Sequence, residues 1–572
     1  MAARTTPIAD QTGPGGDEQQ HPRALEPGVL IVNVVLSIIG AIIGLQLITT
    51  LGITANTSII GVLVAIAVSR VPIGGLGLFR SVHRQNLIQS TISSATFGAA
   101  NSLLLPIGIP VLLGRPDLLT PMLIGATMGM LIDLLMLYWL FDSRVFPGRN
   151  AWPPGVAAAE AIIAGDQGGK RALFLVYGTV VGLIGSWLTI PMSAFGVAFI
   201  GNMFALSMFG VGLLIRGYSV DLTGININAL YMPHGVMIGA GLVAMIQVIL
   251  ILLRRHGVEA GAGENGAPSP VVGTAAGSVA GSPAVLAVAP GGFTRSDAGM
   301  RQGLVWGFGL YVAAALILAL IAGLMNEMPL LALLGWIIFA AVACVVAEFI
   351  VGMSAMHAGW FPAFATALIF LVLGMIIGFP APALAMLVGF VASGGPAFAD
   401  AGYDLKAGWV LRGQGRDPAF ERYGRLQQVI AGLIGLAVGW VIVALFHNVY
   451  FSQDLFPPVD RVYVAAIQAG VDASVLQNIL LWAIPGALIQ AVGGSNRQMG
   501  ILLATGLLIM NPLAGWAVLV GLVIRVLILR FYNKGADGEG AETPMTIFAA
   551  GIIAGDAIYG FFSSVFRARW RL

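Results

Sequence analysis

Long runs of apolar residues constrain the fold of this chain more than any other feature. About sixteen runs are present, at 29–53, 57–79, 86–113, 117–141, 171–192, 193–216, 229–254, 302–324, 329–352, 358–378, 381–397, 424–448, 472–492, 496–511, 512–531 and 544–566. A run of about 20 apolar residues is long enough to cross a bilayer core as a helix. Charged residues make up 9% of the chain, against about 25% in soluble domains, so these residues cannot form a water-soluble surface. The sequence therefore predicts an all-α polytopic membrane protein with about 14 to 16 transmembrane segments.

Two stretches without helical periodicity divide the chain. Residues 1–26 are polar and rich in Pro, Gly and Gln, which predicts a disordered cytoplasmic tail rather than a cleaved signal peptide. Residues 257–300 consist largely of Gly, Ala, Ser, Pro and Val, which predicts a flexible linker. We therefore expect an N-terminal membrane half at 27–256 and a C-terminal membrane half at 301–572.

The basic residues predict an orientation, because Arg and Lys near the ends of spans favour the cytoplasm. Arg80 and Arg84 follow the second apolar run, which places the N-terminus inside. If every run crossed the membrane, however, Arg254, Arg255 and the basic C-terminus would all lie outside. One broken or re-entrant segment in each half removes both conflicts and places both termini in the cytoplasm.

Two runs contain residues that favour such an interruption. The run 86–113 contains Asn101 and two prolines, and the stretch 496–531 contains Asn511 followed by Pro512. An internal repeat is consistent with two related halves, because Gly-Leu-Ile-Gly followed by Trp occurs at 182–187 and again, more loosely, at 432–440. Small residues four positions apart also allow close helix packing, so this string supports either duplication or packing.

Polar residues inside apolar runs are costly in lipid, so each is a candidate functional group. The third run begins with a polar helix face that carries Asn86, Gln89, Ser90, Ser93, Ser94 and Asn101. Amides and hydroxyls supply hydrogen-bond donors and acceptors without fixed charge, which suits a zwitterionic or peptide-like solute. Hydrogen bonding that holds the helix bundle together is the alternative.

A second polar cluster follows the run that ends at 397. Asp400 and Asp404 are four residues apart and would share a helix face, with Lys406 beside them. A carboxyl pair of this kind can carry a proton or recognise a cationic group. The alternative is a solvated cytoplasmic loop, which the nearby arginines favour.

Glu348 lies inside the run 329–352 and is a candidate proton carrier. The alternative is that it snorkels or forms a pair, because it lies within about two turns of a membrane end. Met353, Met356 and His357 follow at helical spacing and offer soft ligands, but packing explains them better because no Cys or second His is near. We therefore expect no metal site.

Asp133 and Asp556 also lie inside apolar runs, with Arg525 as a candidate partner for either carboxylate. Proton transport and an ion pair that fixes packing both remain open for them. His234 follows Pro233 at a helix start, where helix capping and substrate binding are the two interpretations.

Several classes of function conflict with the sequence. A net charge of +2 supplies no basic field for nucleic acid, and the single cysteine, Cys344, cannot form an intrachain disulfide. Tyr403-Asp404 and Gly555-Asp556 are similar to the paired motifs of intramembrane aspartyl proteases. However, position 553 is Ile rather than Gly, and Pro-Ala-Leu at 382–384 precedes both aspartates. We therefore expect no enzymatic activity and no cofactor.

Five separated motifs resemble those of the oligopeptide transporter superfamily, including its prokaryotic members and the yellow stripe-like metal-chelate transporters. The motifs are Asn86-Leu-Ile-Gln89-Ser90-Thr91-Ile-Ser93-Ser94-Ala, Trp152-Pro153-Pro154-Gly155-Val-Ala-Ala-Ala-Glu160 with Gly165, Pro233-His234-Gly235-Val-Met-Ile-Gly239, Asp400 with Asp404-Leu-Lys406-Ala-Gly408, and Gly551-Ile-Ile-Ala-Gly555-Asp556. They occur in family order. Two positions depart from the family pattern, since Ala407 replaces the usual Thr and Ala399 the usual Gly.

The resemblance implies a cation-coupled importer, with the proton as the expected coupling ion, of peptides or peptide-like metal chelates. It implies substrate binding by the polar face that begins at Asn86, by His234 and by the Asp400, Asp404 and Lys406 cluster. The candidates for proton coupling are Glu348, Asp404, Asp133 and Asp556. A passive channel is the alternative from another functional class, because polar helix faces also line pores. The Arg-, Ala- and Gly-rich composition favours a bacterial inner membrane, and the sequence leaves open a homodimer.

Overall fold

The computed structural model describes residues 21–51, 61–62, 79–167, 169–253, 292–359, 361–470, 473–532 and 542–567. Within these ranges the chain is helical, with no strand beyond one isolated bridge between Phe141 and Phe146. This confirms the predicted all-α class. The first part of the predicted tail, most of the second apolar run and most of the predicted linker lie outside the described residues.

The described part of the chain forms eighteen helices, which we number in chain order. They are α1 (Pro27–Leu51), α2 (Val82–Leu112), α3 (Leu119–Leu140), α4 (Pro153–Gln167), α5 (Gly169–Trp187), α6 (Met192–Ile200), α7 (Met203–Thr223), α8 (Met232–Leu253), α9 (Asp297–Ile321), α10 (Leu330–Ala358), α11 (Ala363–Ile377), α12 (Ala381–Leu411), α13 (Pro418–Phe451), α14 (Pro458–Ala469), α15 (Ala473–Arg497), α16 (Met499–Leu508), α17 (Pro512–Tyr532) and α18 (Glu542–Arg567).

Nine of the described helices are long and apolar enough to cross a membrane, judged by length and composition, and five further apolar helices are shorter. The chain is therefore a multi-pass membrane protein, as the apolar runs predicted. Two helices lie outside every predicted run. The Ala-rich α4 and the amphipathic α14 are both too short to cross a bilayer.

One half-length helix occurs on each side of the predicted linker. The run 193–216, predicted as a single segment, is two helices, α6 and α7, which are separated by Gly201 and Asn202. The stretch 496–531 is likewise divided into α16 and α17 before Pro512, as predicted. Because α6 has 9 residues and α16 has 10, each rises only about 15 Å, half of the hydrocarbon thickness.

The predicted interruption of the run 86–113 is wrong, because α2 is continuous over this stretch. The chain passes Asn101 in a π-helical stretch, Gly98–Leu104, and continues as α-helix through Pro106 and Pro110. A π-helical turn is wider than an α-helical turn and changes the hydrogen-bond register without ending the helix. The surrounding helices bury most of α2, and such packing lets a membrane helix retain internal prolines.

Helix packing divides the described helices into two bundles, and each bundle takes helices from both sides of the predicted linker. In the first bundle, α1–α3 pack with α9–α14, and α2 and α12 lie at its centre. In the second bundle, α5 packs on α18, α8 on α15, and α7 on α16 and α17. The helix α4 bridges the bundles, because it packs on α12 and on α18. The two sequence halves therefore interleave in space.

The two Gly-rich strings serve helix packing in the structure. Gly182 on α5 lies directly against the backbone of Ile552 on α18, and Gly435 on α13 lies against Thr91 on α2. A side chain at either glycine would overlap the neighbouring backbone. Close packing alone therefore accounts for both strings, and duplication of the two halves stays a prediction.

The helix α12 continues well beyond the run that predicted it. It ends at Leu411 rather than near 397, and every residue from 383 to 409 is buried. The alternative of a solvated loop for Asp400, Asp404 and Lys406 is therefore wrong. Gly413, just after the end of the helix, adopts a φ of 83°. Asp417 caps the start of α13, because its carboxylate accepts from the backbone N–H groups of Ala419 and Phe420.

Candidate functional site

The central polar site is formed by two matched pairs of side chains between α2 and α12. Gln89 donates a hydrogen bond from Nε2 to Oδ1 of Asp404, and Ser93 donates from Oγ to Oδ1 of Asp400 at 2.6 Å. The two donors are four residues apart on α2, as are the two carboxylates on α12, so both pairs lie on facing helix surfaces. Both aspartates are buried, with Asp400 2% exposed and Asp404 3% exposed.

A third helix, α13, completes this site through Gln428. Its Nε2 atom donates to Oγ of Ser90 at 3.1 Å and to the carbonyl of Asp404 at 2.8 Å. Its Oε1 atom accepts from Nη1 of Arg412 at 2.6 Å. Gln428 is not among the residues predicted from the sequence, although an amide inside a long apolar helix itself indicates a buried polar contact.

The rest of the predicted polar face lies nearby on α2. Asn86 donates to Oε1 of Gln89 at 3.0 Å and therefore orients the amide that holds Asp404. Ser94 is buried where α2 passes Gly432 of α13, and Asn101 is half-buried in the π-helical stretch. The structure thus brings Asn86, Gln89, Ser90 and Ser93 into one hydrogen-bonded group and places Ser94 and Asn101 further along α2.

Lys406 holds the loop that precedes α4. Its ammonium group donates to the carbonyls of Gly148 and Asn150 at 2.7 and 3.0 Å, and it lies 4.6 Å from the ring centre of Trp409. The Trp-Pro-Pro-Gly motif follows this loop, and its Gly155 lies directly against the backbone of α12. The motif therefore positions α4 beside Lys406.

A buried charge network lies beside this site, at the N-terminal end of α13. Glu421 accepts from Arg412 at 2.8 Å and from Arg425 at 3.2 Å. Arg425 also donates to the carbonyl of Phe141 at 2.8 Å and to Oγ1 of Thr294 at 2.7 Å. The network joins α12 and α13 to the loop after α3 and to the described end of the predicted linker. The expectation that these arginines lie in a solvated loop is wrong.

A second candidate site contains Asp133 on α3, Tyr311 on α9 and Glu348 on α10. The hydroxyl of Tyr311 contacts Oδ1 of Asp133 and Oε1 of Glu348, and all three side chains are fully buried. Among the described residues, the second oxygens of Asp133 and Glu348 have no hydrogen-bond partner, and no salt bridge joins either carboxyl to a cation. The sequence predicted both carboxyls separately, but it did not predict the tyrosine that joins them.

Asp556, in contrast, has a clear structural role at the half-length helix α6. It accepts from Oγ of Ser186 at 2.5 Å and from the backbone N–H of Ser193, in the first turn of α6, at 2.9 Å. Arg525 donates to the carbonyls of Ala198 and Gly201 at the other end of α6, at 3.0 and 2.8 Å. An anion at the N-terminus of a helix and a cation at its C-terminus both interact favourably with the helix dipole.

The histidine candidates lie away from the central site. His234 is buried near the start of α8, its ring 5.4 Å from that of Tyr231, in a helix that packs on α15 and α16. The backbone carbonyl of His357 accepts from the N–H of Asn202 at 3.3 Å, where α10 meets the break between α6 and α7. In the part of the chain that the structure describes, no group of three or more His, Cys, Asp or Glu residues is arranged to hold a metal ion.

The last residues of the predicted disordered tail are packed against the protein. The backbone N–H of Ala24 donates to Oε1 of Gln427 at 2.9 Å, and the ring of His21 lies 4.9 Å from that of His83 and 5.5 Å from that of Phe420. Burial, followed by the charge of Arg412, lowers the pKa of His21 to about 3, so this imidazole is neutral at physiological pH. The prediction of a disordered tail is therefore wrong for 21–26.

The sequence was compared with curated proteins and with protein-family models. No curated protein matches the chain. The N-terminal motifs at 86–95, 152–165 and 233–239 are not covered by the family match, which spans residues 289–567 and includes α9 to α18. In that region the chain matches the family model described as OPT oligopeptide transporter protein, and this part of the chain is therefore similar to that transporter family.

Proposed function

We propose that the chain is a secondary active transporter, a proton-coupled symporter that imports oligopeptides or peptide-like metal chelates. The family match over residues 289–567 and the motifs in family order across both halves support this proposal. We place it among the prokaryotic members of the oligopeptide transporter superfamily, related to the yellow stripe-like transporters. A bacterial inner membrane follows as its location, with a homodimer as the oligomeric state to test.

The observation that carries the proposal is the buried group of Asp133, Tyr311 and Glu348. Two carboxyls meet one phenol where no described cation neutralises them, so two full negative charges would be very costly there. The least costly state holds a proton on at least one carboxyl, and the pair titrates as a unit. A group that exchanges one proton inside the membrane is the element that a proton-coupled transporter requires.

The helix α10 connects this group to the second bundle. Glu348 lies on α10, and Ser354, further along the same helix, lies 3.2 Å from Thr505 of α16 through their hydroxyl oxygens. The helix also contacts α7 and α8. A movement of the second bundle against α10 would therefore change the access of water to Glu348, which couples protonation to conformation.

A narrow apolar cavity of about 10 Å³ lies where these two bundles meet. It is lined by Gly241, Ala244 and Met245 of α8, by Phe349, Ile350 and Met353 of α10, and by Ile501 of α16. A single water needs about 10–15 Å³ and ligand pockets usually have about 300–1,000 Å³, so this cavity is far too small for a peptide. We infer that the bundles separate along this interface when substrate passes.

Substrate recognition is proposed for the central site on α2 and α12. Asp400 and Asp404 present carboxylates that can bind the amino terminus of a peptide, and the amides of Asn86 and Gln89 can exchange hydrogen bonds with peptide groups. Both carboxylates are buried, so binding requires an open conformation. His234 on α8 is the corresponding candidate in the second bundle.

Uptake into proteoliposomes tests the proposal. Di- to pentapeptides and iron chelates are offered under an imposed proton gradient, an imposed sodium gradient and no gradient. We expect uphill accumulation of one substrate class under the proton gradient and its loss with an uncoupler. A solute that crosses but only equilibrates would indicate a channel instead. Cleavage of the offered peptides would indicate a protease.

A further inference from the structure

The amphipathic helix α14 carries a carboxylate in the middle of its buried face. Three other buried positions of α14 form that face, namely Tyr463, Val464 and Ile467, and the buried Phe456 and Pro457 directly precede the helix. Asp460 lies among them with no exposed surface, at a position where an apolar residue is expected. Neither carboxylate oxygen has a hydrogen-bond partner among the described residues.

The position that Asp460 faces on α2 leaves no room for a solvating group. Gly108 of α2 lies directly against the carboxylate, where a side chain at 108 would overlap it, and Phe456 closes the same contact. The last two turns of α2 contain no titratable residue, and α11, the first part of α12 and the described part of α1 contain none either. Among the described residues, the helices that pack most closely on α14 therefore offer no group that could neutralise this buried carboxylate.

Two titratable groups on α14 itself are engaged elsewhere. Arg461 is half-exposed, lies 2.8 Å from the carboxylate of Asp454 and packs over the ring of Phe456. The hydroxyl of Tyr463 donates to the carbonyl of Phe364 at 2.8 Å. Burial raises the pKa of Asp460 well above its ordinary value, and the charge of Arg461 opposes this only in part.

The site is remote from the central polar site. Gly108 and Gln89 are 19 positions apart on the continuous helix α2, which corresponds to about 28 Å and almost the full thickness of the hydrocarbon core. Asp460 therefore lies near the opposite end of α2 from Gln89 and Asp404.

We propose that Asp460 is a proton-binding site that controls the docking of α14 on α2. With the carboxyl protonated, the buried face of α14 stays packed against Gly108. When the proton leaves, the carboxylate needs water, and the buried face of α14 separates from α2 to admit it. The helix thus acts as a pH-dependent cover over the far end of α2. This inference does not depend on the proposed transport function.

The test measures the exposure of α14 in nanodiscs with Cys344→Ala as background. Val464→Cys reports the buried face, because Val464 is 6% exposed. Val462→Cys reports the outer face, because Val462 is 52% exposed. Labelling with an impermeant maleimide is followed from pH 5 to 8.5. The ratio of the two rates cancels the titration of the thiol itself. We expect this ratio to rise at least tenfold with pH, to stay low and flat in Asp460→Asn, and to rise normally in Asp454→Asn.

Other outcomes would overturn the inference. A flat ratio in the protein with Asp460 intact, or an equal rise in Asp460→Asn, would show that this carboxyl does not control α14. A ratio that follows sodium at constant pH would identify a metal cation rather than a proton as the ligand. If Asp460→Asn does not fold, hydrogen exchange on the unsubstituted protein decides, because the amides of α14 should lose protection relative to those of α13 as the pH rises. These readouts need no transport, so failure of the proposed function leaves them valid.

Discussion

At the scale of single residues, the charged groups inside this protein are of two chemical kinds. Arg412, Glu421 and Arg425 neutralise one another, and Asp556 and Arg525 bind the ends of a helix. Asp133 and Glu348, together with Asp460, are instead buried without a cation among the described residues. Groups of the first kind have their charges compensated, whereas an unpaired buried carboxyl of the second kind is least costly when it holds a proton.

The first prediction concerns Glu348→Gln. The amide keeps the size of the side chain but cannot ionise, so we expect proton-driven accumulation to be lost while substrate exchange continues. A gradient of one pH unit across the membrane drives at most about tenfold accumulation of substrate per coupled proton. In Glu348→Gln this accumulation ratio should fall to one. Accumulation and counterflow are measured in the same proteoliposomes, with Asp454→Asn as the exposed control. Unchanged accumulation in both Glu348→Gln and Asp133→Asn would contradict the assignment.

The second prediction concerns Lys406→Met, which keeps the length of the side chain and removes the ammonium group. The carbonyls of Gly148 and Asn150 would then be buried without a donor, so we expect the free energy of unfolding to fall by about 1–3 kcal/mol. Thermal unfolding in detergent measures this, with the exposed Lys170→Met as control. Equal melting temperatures for the two variants would show that the contact contributes nothing.

At the scale of helices, the half-length helices α6 and α16 are each fixed by side chains from elsewhere. Asp556 and Arg525 bind the two ends of α6. Oε1 of Gln490, on α15, accepts from the N–H groups of Gly500 and Ile501 at the start of α16, at 3.1 and 3.3 Å. A short helix leaves a large share of its backbone groups without an internal partner, which explains why polar side chains gather at these ends.

The third prediction tests this anchoring with Asp556→Ala. Loss of the carboxylate leaves the N–H of Ser193 and the hydroxyl of Ser186 without their acceptor, and we expect a destabilisation of about 0.5–2 kcal/mol. The melting temperature in detergent is compared with that of Asp221→Ala, which changes an exposed carboxylate on α7. A loss of proton coupling at unchanged stability would instead make Asp556 a coupling residue.

At the scale of the whole molecule, the described helices pack as two bundles. Each bundle combines helices from before and after the predicted linker, so the bundles do not coincide with the sequence halves. The contacts between bundles are fewer than those within them and concentrate on α4 and α10. The charge network around Arg425 lies wholly within the first bundle and its loops, so it stabilises that bundle as a rigid unit.

The fourth prediction concerns Arg425→Ala. This change removes one of the two arginine partners of a fully buried Glu421 and leaves the carbonyl of Phe141 without a donor. Leaving a buried charge wholly unpaired costs about 3–5 kcal/mol, and Glu421 keeps Arg412, so we expect a loss near the lower end of that range and a lowered melting temperature. Arg416→Ala, an exposed arginine of the preceding loop, is the control. Similar stability of the two variants would contradict a structural role for the network.

The fifth prediction is the orientation of the chain. The basic clusters, with one half-length helix on each side of the predicted linker, predict that both termini lie in the cytoplasm. A cysteine added after Arg571 in a Cys344→Ala background should resist impermeant maleimide in intact cells and react after permeabilisation. Labelling in intact cells would place the C-terminus outside.

Much of this architecture follows from the sequence alone, because lipid imposes a simple rule on the chain. Each backbone group must be bonded within a helix, so apolar runs of about 20 residues determine the all-α class and most of the helices. The same rule makes buried polar residues conspicuous, which is why the positions of Asp133, Glu348, Asp400 and Asp404 within or beside apolar runs identify them as candidates. The interruption at Pro512 also follows from local residues.

Only the tertiary structure decided which of these residues meet. Asp133 and Glu348 are more than 200 positions apart, and it is the packing of α3, α9 and α10 that brings both to Tyr311. The local sequence around Asp400 also favoured a loop, because the energy of burying it against Gln89 and Ser93 depends on α2, far away in the chain. Whether a charged side chain can be buried depends on the groups that pair with it. When those groups are distant in the sequence, the local sequence does not reveal them.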